Sequence, residues 1–223
     1  MIVVHHLNNS RSQRILWLLE ELGLHYEVVR YQRDPRTLLA PAALRKIHPL
    51  GKAPVVTDGD LVLAESGAIA DYLADTHGDG ILLPPRGTPA RLRCRYWLHY
   101  AEGSAMPPLL LKLVFQRMAT APMPFFVRPF ARLLAKRTNQ SFIRPQLKLH
   151  LTYLESQLDS PDAWFVGDAF SVADIQLSFP LEAMAARGGL DADYPHLQAW
   201  LKRIHARPAY QRALQRGGPY ELG

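Results

Sequence analysis

A chain of 223 residues with 48% hydrophobic and 21% charged residues has the composition of a globular protein, long enough for one large or two modest domains. Its only cysteine, Cys94, excludes an internal disulfide framework and a Cys-x-x-Cys redox pair, and the absence of an apolar run of about eighteen residues excludes a predicted membrane span. No two histidines have the spacing of a zinc motif, so we expect no metal site, and the absence of a secretion signal at the N-terminus favours a cytoplasmic location.

The net charge of +6 is unevenly distributed. Residues 1–80 contain eight Lys/Arg and ten Asp/Glu, whereas residues 81–223 contain eighteen and ten. Residues 103–154 contain no acidic residue but eight basic ones. Such a surface attracts anions, although a solvated helix face is the simpler interpretation. No nucleic-acid motif accompanies these charges, so we expect no nucleic-acid partner.

The first thirty or so residues have the pattern of a βαβ unit. The apolar run at residues 2–6 predicts a strand, and the apolar positions from Ile15 to Leu22 recur with the period of a helix that ends near Gly23. Residues 26–31 return to β-branched and aromatic types. We therefore expect two parallel strands joined by a right-handed crossover.

The next segment predicts an antiparallel hairpin. A short helical stretch at residues 42–47 and a breaker cluster at 48–51 precede Ala53-Pro54 and the strand-like residues 55–57. Asp58-Gly59 is a strong hairpin turn, and a helix opens at Glu65-Ser66. Glycines and prolines then accumulate over residues 77–90, which places a domain linker at 81–90 between domains at 1–80 and 91–223.

The second domain is helical throughout its pattern. A helix from Arg91 is followed by a region at 106–129 that prolines are expected to break, and then by a long amphipathic helix at 142–158. Ser171 and Asp174 have the spacing of a capping box, and the helix after them is apolar enough to be central. We interpret Cys94, on an apolar helix, as a core residue.

Two segments near the hairpin have both structural and ligand-binding interpretations. Pro54 at a strand start is commonly an edge device, but a cis Ala53-Pro54 bond would leave the Val55 N–H and C=O free to bind an extended peptide. Glu65-Ser66 is either a plain helix N-terminus or an anion site formed by the first-turn N–H groups and the Ser66 hydroxyl. The pattern alone leaves both pairs of alternatives open.

The loop before the first helix contains a third candidate, Ser10. Its simplest role is as an N-cap, and no general base accompanies it for nucleophilic attack. A hydroxyl at a helix N-terminus can also donate to a bound thiolate and lower the pKa of that thiol. Asn9 and Ser12 lie close enough in sequence to take the same role.

Four segments in this order resemble the glutathione transferases, and bacterial members most. They are residues 6–14 (HLNNSRSQR), 48–54 (HPLGKAP), 65–69 (ESGAI) and 167–174 (GDAFSVAD). The resemblance implies a thioredoxin-like α/β N-terminal domain, an all-α C-terminal domain, a cis Pro54, a homodimer and a role in detoxification.

The resemblance also implies the site. Glutathione, as co-substrate, would place its cysteinyl part on the backbone of Val55 after Ala53-Pro54, its γ-glutamyl end at Glu65 and Ser66, and its glycyl carboxylate near Lys52 and His48. Ser10 would face the sulfur, with Asn9 as the alternative. Serine rather than cysteine at position 10 favours conjugation to small apolar electrophiles over mixed-disulfide chemistry.

The residues of the apolar wall are a prediction from position alone. Tyr96, Tyr100, Met106 and Phe115 lie on or just after the first helix beyond the linker. Two other functions stay open at this point: glutathione-dependent reduction of peroxides or disulfides, and a non-enzymatic transferase-like protein that binds apolar anions or a macromolecule through its basic surface.

Overall fold

The N-terminal half of the protein is a four-stranded sheet with three helices. The structure, a computed structural model, describes residues 1–37 and 39–222. Its elements are β1 (Ile2–Leu7), α1 (Ser12–Glu21), β2 (Tyr26–Tyr31), α2 (Ala42–Ile47), β3 (Val55–Asp58), β4 (Leu61–Ala64) and α3 (Ser66–His77). The strand order is β2-β1-β3-β4, with β1 and β2 parallel and the other neighbours antiparallel. The predicted βαβ unit and hairpin are confirmed.

The sequence explains these elements locally. Residues 12–19 of α1 are all buried, because this helix packs on the sheet with one side and on the helical half with the other. Gly23 and Gly59 have φ values of 64° and 58°, a conformation that costs glycine least, so one follows the end of α1 and the other turns β3 into β4.

The C-terminal half is all helical. Its helices are α4 (Pro89–Tyr100), α5 (Met106–Thr120), α6 (Arg128–Thr138), α7 (Arg144–Glu155), α8 (Val172–Ala183), α9 (Pro195–Ala206) and α10 (Pro208–Gly217). One π-helical turn at Ala101–Ala105 joins α4 to α5, and another at Asn139–Ile143 joins α6 to α7. Two long helical segments therefore form a hairpin. No helix among the described residues is long and apolar enough to cross a membrane.

The prediction that prolines break residues 106–129 was wrong for most of that region. Pro107 and Pro108 directly follow the π-helical turn and lie in the first turn of α5, where helices tolerate proline best. Pro129 occupies the same position in α6. Only residues 121–127 between the two helices are irregular.

Helix α8 forms the centre of the molecule, as its apolar sequence predicted. All twelve of its residues are buried, and the capping box is present at its start. Both Asp174 oxygens accept hydrogen bonds, from Ser171 N at 3.0 Å, Ser171 Oγ at 3.0 Å, Phe165 N at 3.2 Å and Trp200 Nε1 at 3.0 Å. This carboxylate therefore fixes α8 and α9 relative to the preceding loop.

Candidate functional site

A polar cleft of about 220 Å³ opens where the end of the sheet meets the helical half. Ten residues line it: Arg11, His48, Leu50, Lys52, Ala53, Pro54, Ala64, Glu65, Ser66 and Glu102. Six of these were singled out from the sequence, namely His48, Lys52, Ala53, Pro54, Glu65 and Ser66. The cleft thus brings together residues from segments that are distant in sequence.

The Ala53-Pro54 peptide bond is cis, as the resemblance implied. The expectation for Val55, however, requires correction. Val55 is fully buried and is paired on both sides, with His5 of β1 and with Ala64 of β4, so the sheet already occupies its backbone groups. Ala53 precedes the strand and lines the cleft, which makes its backbone the one available to an extended ligand.

Glu65 and Ser66 form the opposite wall. Glu65 has φ 68° and ψ 114°, an uncommon conformation for a non-glycine residue and one that clusters at ligand sites. Ser66 begins α3, and its Oγ accepts hydrogen bonds from Arg14 Nη2 at 2.6 Å and Gln176 Nε2 at 3.3 Å. Because a hydroxyl oxygen has two lone pairs, its O–H is left as a donor at the positive end of a helix. This geometry suits a carboxylate.

Sequence reasoning missed the charged cluster beneath this wall. Arg14 is buried and donates to Glu102, to Ser66 and to the Gln176 carbonyl, while Arg11 Nε lies 2.8 Å from Glu102 Oε2. Burial favours the neutral form of Glu102, but the two guanidiniums outweigh it and hold the pKa of Glu102 below its usual value. The position of Arg14 could have indicated that it is buried, because it lies one helical turn before the buried Leu18 on the same face of α1.

The three candidates for the sulfur-facing residue have different surroundings. Ser10 is 4% exposed, and its Oγ lies 2.7 Å from Ser12 Oγ and accepts a hydrogen bond from Ser12 N. Ser12 is fully buried and bonded to His6 and Leu7, so it has no access to a ligand. Asn9 is exposed, with φ 48°, and its Oδ1 accepts a hydrogen bond from Glu221 N at 2.8 Å.

The structure does not assemble the predicted apolar wall at the cleft. Tyr100 and Met106 are each 7% exposed and belong to the core. Tyr100 faces α7, where the tyrosine hydroxyl lies 2.6 Å from His150 Nδ1. Tyr96 is partly exposed, but its ring stacks on Tyr100 and its hydroxyl lies 2.9 Å from that of Tyr153. None of these residues lines the cleft.

Phe115 lies in a different depression. It lines a groove of about 660 Å³ between α5 and α6, larger than the cleft and separate from it. Four cations surround this groove: Lys112, Arg117, Arg132 and Lys136. Its size does not make it the reaction site, since it contains neither the cis-proline loop nor the start of α3. Cys94 is fully buried, and burial raises the pKa of its thiol to about 11, which confirms its interpretation as a core residue.

A thioredoxin-like sheet with a cis-proline loop facing a helix N-terminus, joined to an all-helical half, defines the glutathione-binding class of enzymes. Two family models match the chain: the glutathione S-transferase N-terminal domain over residues 1–75 and the C-terminal domain over residues 117–208. Glutathione S-transferase 1 of Saccharomyces cerevisiae is 34% identical over 217 residues, covering 94% of this chain and 92% of the relative. The chain belongs to the glutathione S-transferase family.

Solved structures agree with this assignment. A glutathione S-transferase from Actinobacillus pleuropneumoniae has a TM-score of 0.80 at 35% identity, covering all of this chain and 95% of its own. A sphingomonad glutathione S-transferase complexed with glutathione has a TM-score of 0.71 at 28% identity, covering 97% of this chain and 98% of its own. The fold is that of the family, the activity is glutathione transfer, and glutathione is the co-substrate.

Proposed function

We propose that glutathione lies along the cleft with its cysteinyl backbone against Ala53, its γ-glutamyl carboxylate at Ser66 and the start of α3, and its glycyl carboxylate near Lys52 and His48. The observation that carries this proposal is the convergence of a strand-end backbone, a hydroxyl restricted to donation and two basic side chains in one cleft. The sphingomonad relative, which is complexed with glutathione, supports it.

The thiolate forms at the N-terminus of α1. There the helix dipole, the Arg11 guanidinium and the Ser10 hydroxyl favour the charged sulfur, and Ser10 turns its O–H from Ser12 toward the ligand. The thiol proton passes to solvent. The sulfur lone pair then forms a C–S bond with an electrophilic carbon, and the leaving group departs with the bonding electron pair. Asn9 is the alternative donor.

Further expectations belong to the same proposal. The second substrate is a small apolar electrophile, and the protein acts in the cytoplasm as a detoxifying enzyme with domains at 1–80 and 91–223. A homodimer is supported by exposed apolar side chains on β4 and α4, where Leu61, Val62 and Leu92 are 42%, 46% and 69% exposed.

The test compares Ser10→Ala and Asn9→Ala with wild type, and with Ser141→Ala as an exposed serine control. We expect Ser10→Ala to bind glutathione within a few-fold of wild type but to lower kcat/KM for an aryl halide about 100-fold, the loss typical of one charge-stabilising donor. The pH profile of kcat/KM should move toward the free thiol value of about 8.5.

Each other outcome has a definite meaning. Unchanged turnover in Ser10→Ala removes Ser10 from the mechanism, and the same loss in Asn9→Ala alone transfers the role to Asn9. Failure of the wild type to bind glutathione, measured by calorimetry, contradicts the proposed function itself.

A further inference from the structure

The hairpin formed by α5 and α6 ends in an exposed apolar surface. Every residue from 124 to 130 is exposed, and Phe125, Phe126 and Phe130 are exposed by 81%, 71% and 69%. The surface continues along α6 through two leucines. We name this set the apolar tip: Phe125, Phe126, Val127, Phe130, Leu133 and Leu134.

Helix geometry explains why these side chains point outward. Ala131 and Ala135, four residues apart, are the buried residues of α6 and form its contact with α5. At about 100° per residue, Leu133 lies opposite the midpoint of these two alanines, Phe130 lies about 120° from it and Leu134 lies about 80° from it on the same flank as Phe130. The helix therefore buries its small residues and exposes its large apolar ones, which is the reverse of what stabilises an isolated monomer.

Cations without nearby acids border the apolar tip. Arg128, Arg132 and Lys136 lie on the flank of α6, and Arg132 and Lys136 share the groove with Lys112 and Arg117 of α5. No acidic residue occurs between Glu102 and Glu155 to neutralise them. The hairpin thus presents an exposed apolar end beside a row of cations.

We propose that the apolar tip docks on the surface of an anionic lipid bilayer, with α6 in the plane of the interface. The phenylalanines enter the boundary between headgroups and acyl chains, and the bordering cations contact lipid phosphates. A contact between two apolar tips fits less well, because it would bring the same cations together with no acid to pair them. The docking is peripheral and needs no membrane-spanning helix.

The apolar tip and the glutathione cleft share no residue, so activity serves as an independent test of folding. The experiment measures partition of the full chain onto vesicles of phosphatidylcholine alone or mixed with phosphatidylglycerol, by co-sedimentation. The apolar variant is Phe126→Ser/Phe130→Ser, with Ile81→Ser as a control at a side chain 68% exposed elsewhere. The charge variant is Arg132→Gln/Lys136→Gln, with exposed Arg36→Gln/Lys202→Gln as its control.

We expect wild type and both controls to bind the anionic vesicles and to dissociate at high salt. The apolar variant should bind about tenfold less tightly or worse, and each cation removed should cost about fivefold. All variants should conjugate glutathione at the wild-type rate. If the double apolar variant misfolds, Phe125→Trp supplies a second readout: the difference between its emission and that of wild type, which has four tryptophans, should shift to shorter wavelength only with anionic vesicles.

Three results would overturn the proposal. The first is a failure of wild type to sediment with anionic vesicles, and the second is an apolar variant that binds them as well as Ile81→Ser does. The third is a mutation in the apolar tip that lowers the molecular mass in solution while no vesicle binding is detected. The last would assign the apolar tip to contact between copies of the chain.

Discussion

At the level of single residues, the contacts of Ser66 restrict what its hydroxyl can do. Arg14 and Gln176 occupy both lone pairs of its oxygen, so the hydroxyl has one remaining capacity, donation. A buried serine that only capped α3 would instead accept a hydrogen bond from the backbone of that helix. Ser66 is instead the first residue of α3, and the N-cap position is occupied by Glu65, whose side chain makes no capping hydrogen bond.

His6 gives a pH-dependent prediction. Burial, helped by nearby Arg30 and opposed by a hydrogen bond to the backbone of Gly217, lowers the pKa of His6 from 6.5 to about 4. Because the pKa of His6 is lower in the folded state, its neutral imidazole contributes fully to the free energy of unfolding above pH 6.5. That contribution is lost as the pH falls toward 4. The full shift corresponds to about 3 kcal/mol.

The check is a series of urea unfolding curves between pH 7 and pH 4. Wild type should lose up to about 3 kcal/mol more than His6→Asn over this window, because the variant has no imidazole to protonate on unfolding. His25→Asn, at an exposed position, should follow wild type. If the free energy of unfolding changed with pH by the same amount in wild type and in His6→Asn, His6 would be shown to be accessible to protons in the folded state.

At the level of secondary-structure elements, α10 is tied closely to α1. A Cβ on Gly217 would overlap Gln13 Oε1 and come within 3.1 Å of Leu16 Cδ1 and 3.4 Å of His6 Cε1. This close approach, rather than backbone conformation, requires glycine at the end of α10. The Gln13 side chain can shift, so the substitution is tolerable but unfavourable.

Gly217→Ala should therefore lower the free energy of unfolding by about 1–2 kcal/mol, despite the better helix propensity of alanine. Gly103, in the π-helical turn, is the matched control. A Cβ added there would meet nothing within 4 Å apart from the backbone of its own helix. Gly103→Ala should therefore be neutral or stabilise the protein by up to about 1 kcal/mol. Urea denaturation measures both. Equal effects would mean that propensity, not packing, decides at Gly217.

For the whole molecule, local signals were sufficient for most of the elements and for part of the site. The hairpin turn at Asp58-Gly59 and the capping box at Ser171 and Asp174 depend on neighbours within four residues, so the sequence displays them directly. The choice between Ala53 and Val55 depends on where strand pairing ends. That boundary comes from the whole sheet and is not visible in the local pattern.

Long-range contacts account for the remaining differences. Glu102 meets Arg14 from 88 residues away, and nothing near either residue in sequence announces the other. The residues predicted for the apolar wall lie away from the cleft for the same reason: a tyrosine on α4 can face α7 or the cleft, and only packing of the two long helical segments decides. Tyr100 faces His150 on α7.

The contact between Arg14 and Glu102 joins the two halves of the molecule and gives the last prediction. Arg14 lies on α1 of the sheet half, while Glu102 and Gln176 belong to the helical half. Arg14→Met leaves Glu102 paired with Arg11 alone and removes the buried hydrogen bonds of Arg14, and a hydrogen bond to a charged group typically contributes about 1.5–3 kcal/mol to the free energy of unfolding. Arg14→Met/Glu102→Gln also removes the partly buried carboxylate that has lost its Arg14 partner, and should recover part of that loss.

A double-mutant cycle measured by urea unfolding separates the loss of the Arg14 contacts from the effect of the Glu102 charge. Arg95→Met is the control at an exposed position on α4. Strong coupling, of about 1–3 kcal/mol, is expected because both residues belong to one hydrogen-bond network. Glutathione affinity should fall in both Arg14 variants, since Ser66 then loses one of the donors that fix its hydroxyl. Additive effects on stability together with unchanged affinity would show that the pair neither holds the two halves together nor orients Ser66.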